Sequence, residues 1–232
     1  IVTVMGYRHG IFPPAVTDPV RYTAVHEAMR ASHNAMVDGL KSGAGNYPVG
    51  LTLSMSEYVA LEGAEDRMHK IRLEMEDKYL EAVRGNDFIG VQCYSKSIIA
   101  PPGKTFNYEG DVTDMGYPYW PECVEHTIRR AASVTGIPVI MTENGIATTD
   151  DTRRIAYLDA ALRGLHNCLA DGVDVRGYYQ WSLLDNFEWV LGYSMRFGIV
   201  DVDRTTFVRT PKPSAHWFGA IAKANALGSV SA

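Results

Sequence analysis

The chain has 232 residues, 46% of them apolar and 21% charged, with a net charge of −5. This is the composition of an ordinary globular protein long enough to bury a substantial core, and a single domain over residues 1–232 is the expectation. Acidic and basic residues are mixed along it, which argues against a nucleic-acid surface or a polybasic membrane anchor, and no stretch approaches the roughly 20 apolar residues of a membrane span.

In chain order, Ile1-Val2-Thr3-Val4-Met5 reads as a strand by periodicity alone. It has neither an initiator methionine nor a signal-peptide layout, so a cut N-terminus is expected. Asp18-Pro19 supplies an N-cap and a first-turn proline, and Val25, Met29, Ser32, Met36 and Leu40 recur at helical steps until Gly43. A short strand follows over 49–53. A second helix is predicted over 64–83, with Met68, Ile71, Met75, Tyr79 and Val83 on one face, and a buried strand over 88–94. The polar stretch from there to Tyr119 is too long for a plain connector, and such loops usually carry function. Pro121 opens a third helix, residues 137–142 form a strand, and a fourth helix starts near Asp151 with Ile155, Leu158, Leu162, Leu165 and Leu169 on one side. Residues 175–181 are the last strand, and Pro213 begins the last helix.

Strands alternating with amphipathic helices imply an α/β fold with parallel pairing through right-handed crossovers. No G-x-G-x-x-G turn follows a strand, which argues against a dinucleotide-binding sheet. Four strands and five helices make half of a (β/α)8 TIM barrel, whose usual length is about 250 residues. Barrel chemistry sits where strands end, and here those ends carry Tyr94, Glu143 and Trp181. A glutamate after a strand is, taken alone, more often a solvated loop residue or a cap acceptor. Metal and phosphate signatures are lacking: His26-Glu27 does not continue as H-E-x-x-H, and Gly43-Ala44-Gly45 runs into Pro48. Cys93, Cys123 and Cys168 are odd in number and far apart, which argues against a disulfide framework and fits a reducing, cytoplasmic setting. No metal and no cofactor are implied.

Thr142-Glu143-Asn144-Gly145 resembles the nucleophile motif of the family-1 glycoside hydrolases, whose commonest activity is that of a β-glucosidase. A longer match is Trp181-Ser182-Leu183-Leu184-Asp185-Asn186-Phe187-Glu188-Trp189, continued by Gly192-Tyr193-Ser194 and Arg196-Phe197-Gly198. Gly6-Tyr7, Phe12-Pro13-Pro14, Thr113-Asp114-Met115-Gly116 and Thr210-Pro211-Lys212-Pro213 extend it over nearly the whole chain. The resemblance implies a retaining β-glycosidase acting on neutral β-glycosides or oligosaccharides, with Glu143 as nucleophile and Tyr94 contacting it. It places Glu188 and Trp189 on the sugar hydroxyls, Trp181 under the sugar ring and Tyr117 on the aglycone side. Gln92 stands where the family usually has asparagine. Two roles stay open for Phe197, lining that pocket or plain core packing, while Asp185 and Asn186 are expected to pin their loop.

The same resemblance identifies the chain as strands five to eight with their helices, the C-terminal half of the barrel, and makes residues 1–5 a connecting segment rather than a strand. The acid/base glutamate of an Asn-Glu-Pro motif would then belong to the other half. The expected partners are the complementary N-terminal half or a second copy, because a half sheet leaves two open edges. A non-catalytic half barrel that binds sugar or assembles with a partner is the alternative. An aldolase-like barrel would need a Schiff-base lysine at a strand end, and none is placed there.

Overall fold

The computed structural model describes residues 1–228. Residues 1–5 are not a strand: Val4–Arg8 is a π-helical turn, closed by the His9 amide donating to the Val4 carbonyl. The apolar run Ile1, Val2 and Val4 misleads because the segment bonds within itself, the Met5 amide donating to the Ile1 carbonyl. Gly6 instead lies under the Pro13 carbonyl, where an added Cβ would sit 2.8 Å from that oxygen.

Helix α1 (Pro19–Lys41) is capped by the Asp18 carboxylate, which accepts from the amides of Val20 and Arg21. Its apolar stripe does not face the core. Met29, Met36 and Leu40 are 52%, 60% and 52% exposed, while Tyr22 and His33 are the helix's buried residues and His26 bonds Thr3 and Tyr79. Strand β1 (Gly50–Ser54) is followed by a short β2 (Glu57–Ala60). The second predicted helix is three joined pieces: α2 (Glu65–Arg72), a π-helical turn (Leu73–Asp77) and α3 (Lys78–Ala82). Next come β3 (Phe88–Gln92), β4 (Lys96–Ile99), α4 (Cys123–Thr135), β5 (Val139–Asn144), α5 (Asp151–Ala170) and β6 (Val175–Gln180). A 3₁₀ turn (Trp189–Leu191), the pair β7 (Val200–Val202) and β8 (Arg209–Pro211), and α6 (Pro213–Ala224) complete the order.

The four longer strands form one parallel sheet in the order β1-β3-β5-β6. One face is covered by helices. Ile89, Val91, Cys93, Val139 and Met141 point into it and are fully buried against Leu80 and Val83 from the α3 side, Val124, Ile128 and Ala131 of α4, and Leu158 and Ala161 of α5. The opposite face carries small or polar residues (Thr52, Gly90, Gln92, Thr142), as period-two alternation requires. Two further small sheets were not foreseen. β2 and β4 pair in parallel beyond the ends of β1 and β3, and β7 with β8 makes an antiparallel ribbon. They have only three or four residues each, too few to show a period. Among the described residues no helix is long and apolar enough to cross a membrane.

Candidate active site

An irregularity in β5 aims Glu143. The β3–β5 ladder pairs Val91 with Met141 but Gln92 with Glu143, so Thr142 is an extra residue opposite no partner, and the β5–β6 ladder slips in the same place. Such a bulge lets two successive side chains face one side and re-aims the rest. Thr142 and Glu143 therefore both reach the open face, where Thr142 Oγ1 bonds the Val91 carbonyl, while Asn144 turns into the helix-covered core and is fully buried.

On that open face the Glu143 carboxylate receives one donor on each oxygen. Gln92 Nε2 donates to Oε1 at 2.7 Å and the Tyr94 hydroxyl to Oε2 at 2.6 Å. Burial pushes the Glu143 carboxyl above its ordinary range, and the Tyr94 bond pulls it back down. Burial and the facing charge of Glu143 together push the Tyr94 hydroxyl up, so it stays a protonated donor. Phe197, buried, meets the Tyr94 ring edge-on at 5.8 Å between centroids, so it both packs and walls the carboxylate's neighbour.

Glu188 comes from the loop after β6. Its carboxyl is raised first by burial, with the charge of Glu143 adding to this and a bond from Asn186 opposing it, so the two carboxylates share one electrostatic neighbourhood. Tyr117 feels the Glu188 charge too, and its hydroxyl is raised mainly by burial. The turn carrying Tyr117 is tied down by the Thr113 amide to the Tyr117 carbonyl, the Asp114 amide to the Ala147 carbonyl, and Ser95 Oγ to the Pro118 carbonyl. Trp181 is fixed at the end of β6 by its amide, which donates to the Asn144 carbonyl at 2.7 Å. Trp189 stacks its half-exposed ring on Phe12 at 4.4 Å. Of the expected residues, Gln92, Tyr94, Glu143 and Phe197 are in direct contact, and Glu188 and Tyr117 are within charge range. Trp181 and Trp189 lie on the same loop after β6 and are not in direct contact with this group, Trp189 stacking on Phe12 instead.

The loop bearing Glu188 is anchored by Asp185, through partners distant in sequence rather than the local bonds expected. The buried carboxylate accepts from the Gly198 amide at 2.9 Å and from Lys212 Nζ at 3.0 Å on both oxygens. Gly198 has no room for a side chain, since a Cβ would stand 2.2 Å from the Asp185 nitrogen. Arg154 of α5, fully buried, donates to the carbonyls of Thr148 and Arg196 and so joins the loop after β5 to the loop after β6. Lys212 appeared in the sequence only within the Thr210-Pro211-Lys212-Pro213 match, without a role, and Arg154 was not singled out, its one signal being an arginine interrupting an apolar helix face just before Ile155.

The site brings together two carboxylates, aromatic side chains and an amide donor. Among the described residues no group of three or more His, Cys, Asp or Glu side chains is placed to hold a metal ion. Residues 69–227 match the pattern of the family described as Glycosyl hydrolase family 1. Among curated proteins, β-glucosidase A of Thermotoga maritima is 29% identical over an alignment of 277 positions that covers 98% of this chain and 62% of its own length. A β-galactosidase of Pyrococcus woesei is 31% identical over 176 positions, 63% of this chain and 34% of its own. Among solved structures, β-glycosidase BGL167 is 42% identical with a TM-score of 0.83 over 89% of this chain and 50% of its own. A β-glycosidase from Pyrococcus horikoshii is 29% identical with a TM-score of 0.90 over 98% and 59%. The chain thus spans 34–62% of the length of these relatives, and its parallel sheet corresponds to part of the family's barrel. The family pattern runs from the α2 region to the end of α6 and takes in the bulged β5 and both loops around its carboxylate, so the chain belongs to glycosyl hydrolase family 1.

Proposed function

We propose that this chain is the C-terminal half of a retaining β-glycosidase of the β-glucosidase type, with β1, β3, β5 and β6 as barrel strands five to eight. Glu143 is its nucleophile. The observation that carries this reading is the carboxylate at the end of a parallel strand, with each oxygen held by one donor, Gln92 or Tyr94. Two bonds in fixed directions orient the carboxylate for attack on an anomeric carbon and keep it from rotating. Attack expels the aglycone and leaves a glycosyl ester on Glu143, which water then hydrolyses. Glu188 accepts from sugar hydroxyls and repels a phosphate, which selects neutral glycosides. Trp181 and Trp189 supply the aromatic face and an indole donor, and Tyr117 the aglycone platform.

In a retaining pair the second carboxyl stands about 5–5.5 Å from the first and protonates the departing oxygen. We assign it to the part of the barrel that this chain does not span. Without it the leaving group departs as an alkoxide, a loss of about 10²–10⁴-fold. Activity is accordingly expected once the remaining barrel half is supplied in trans, read as release of p-nitrophenol from p-nitrophenyl β-D-glucoside. Glu143→Gln in the same mixture should lower that rate by more than about 1,000-fold. Equal rates for the two chains would refute the assignment. The second reading, a half barrel that assembles or binds sugar without hydrolysis, draws on the exposed apolar stripe of α1; it predicts assembly with no release.

A further inference from the structure

Behind the Glu143 carboxylate, on the helix-covered side of the sheet, lies a closed set of hydrogen bonds that the mechanism above does not use. The Tyr178 hydroxyl of β6 donates to Asn144 Oδ1 at 2.7 Å. Asn144 Nδ2 donates one hydrogen to the Cys93 carbonyl at 2.7 Å and the other to the Tyr157 hydroxyl of α5 at 3.3 Å. Tyr157 then spends its only hydrogen on the Tyr94 carbonyl at 2.8 Å. Every donor is committed in one direction. The Cys93 carbonyl can only accept, which fixes the amide orientation, and the amide in turn fixes which way Tyr157 donates.

The network grips the strand ends that flank the carboxylate. Cys93 lies between Gln92 and Tyr94, the two residues that hold Glu143, and its own amide donates to the Glu143 carbonyl at 3.0 Å. Tyr157 and Asn144 are fully buried, so no water competes for these bonds, and a member left unpaired there costs more than the bond itself contributes. Burial also raises both tyrosine hydroxyls, which keeps them donors at any working pH.

We propose that Tyr157 and Tyr178 are positioning residues for the nucleophile, acting through Asn144 and the Tyr94 carbonyl to set where the Tyr94 hydroxyl meets the Glu143 carboxylate. This rests on Glu143 being the nucleophile, but its test needs no sugar chemistry. The full chain, carrying glutamate labelled with ¹³C at the carboxyl, is titrated by NMR, the Glu143 resonance being the one lost in Glu143→Gln. Tyr157→Phe and Tyr178→Phe should move the Glu143 midpoint upward, in the direction of Tyr94→Phe and by less. Tyr79→Phe, which removes a hydroxyl bonded to His26 far from the site, should leave it in place. Because the effect runs through Tyr94, Tyr157→Phe should add nothing in a Tyr94→Phe background.

An unchanged midpoint in both variants, or shifts that add fully to that of Tyr94→Phe, would overturn the proposal. If Tyr157→Phe does not fold, Tyr178→Phe, at a less buried position, carries the same test. Covalent labelling of Glu143 by an activated fluoroglycoside separates the two layers of the argument. Labelling with no titration coupling removes the network's role and leaves the nucleophile. In the positive case the labelling rate should fall on the order of 10-fold in each variant, as expected for a slightly misplaced attacking group.

Discussion

Tyr94 and Gln92 hold one carboxylate from two sides, and burial and the Tyr94 bond shift it in opposite directions. Burial raises Glu143 and the Tyr94 hydroxyl bond lowers it. A nucleophilic carboxylate works only when ionised, so its reactivity is lost as pH falls through its pKa. Removing the donor in Tyr94→Phe therefore moves that loss to higher pH, and a bond to a charged group is worth about 1.5–3 kcal/mol. The check is the acid limb of the pH profile for labelling, which should shift upward in Tyr94→Phe. At this scale the sequence was informative because Glu143, Tyr94 and Trp181 fall at predicted strand ends, where a parallel sheet presents its chemistry. Asn144, Tyr157 and Tyr178 were not legible. Asn144 stood in the Thr142-Glu143-Asn144-Gly145 match with no role of its own, Tyr157 and Tyr178 lie on separate elements, and only the fold shows that the three meet.

At the scale of elements, the π-helical turn between α2 and α3 places Glu76 wholly inside the protein. There it accepts from the Ser56 amide at 2.9 Å and from Arg130 of α4 at 3.3 Å, with Asp77 and Tyr58 nearby. Burial pushes Glu76 up to about 7, against those two bonds. Its folded pKa is thus above its unfolded value, so the folded state holds the proton more tightly. Stability from this group is full below about 4.5 and falls as pH rises to about 7, a change on the order of 3 kcal/mol. Urea unfolding at pH 5 and pH 8 should show this drop, and Glu76→Gln should flatten it. Gly145 makes a second test. A Cβ there would stand 2.0 Å from the Trp181 carbonyl oxygen, a backbone atom that cannot step aside. Gly145→Ala should cost about 1–3 kcal/mol in the same assay, as overpacking does. The main strands and helices were legible from periodicity and caps, whereas β2, β4, β7 and β8 are too short to carry a pattern. The apolar stripe of α1 predicted the helix, but its period does not say what the stripe packs against, and Met29, Met36 and Leu40 are exposed.

For the molecule as a whole, that stripe and the open sheet belong together. A parallel sheet of four strands leaves the outer edges of β1 and β6 unpaired, and Tyr179 on β6 is 64% exposed beside them. Relatives whose length this chain covers by only 50–62% have further chain available to close such a sheet. On the proposed half-barrel reading, sedimentation of the isolated chain should depend on concentration, and adding the proposed complementary half should replace self-association with a one-to-one complex. The most direct test of the central claim bypasses the absent acid altogether. A 2-deoxy-2-fluoro-β-glucoside with a dinitrophenolate leaving group needs no proton to depart, so a competent nucleophile should trap it as a stable ester. With the barrel completed, intact mass and peptide mapping should show one fluoroglucosyl group per chain, on the peptide containing Glu143. A label on any other residue, or the same label on the Glu143→Gln chain, would contradict the account.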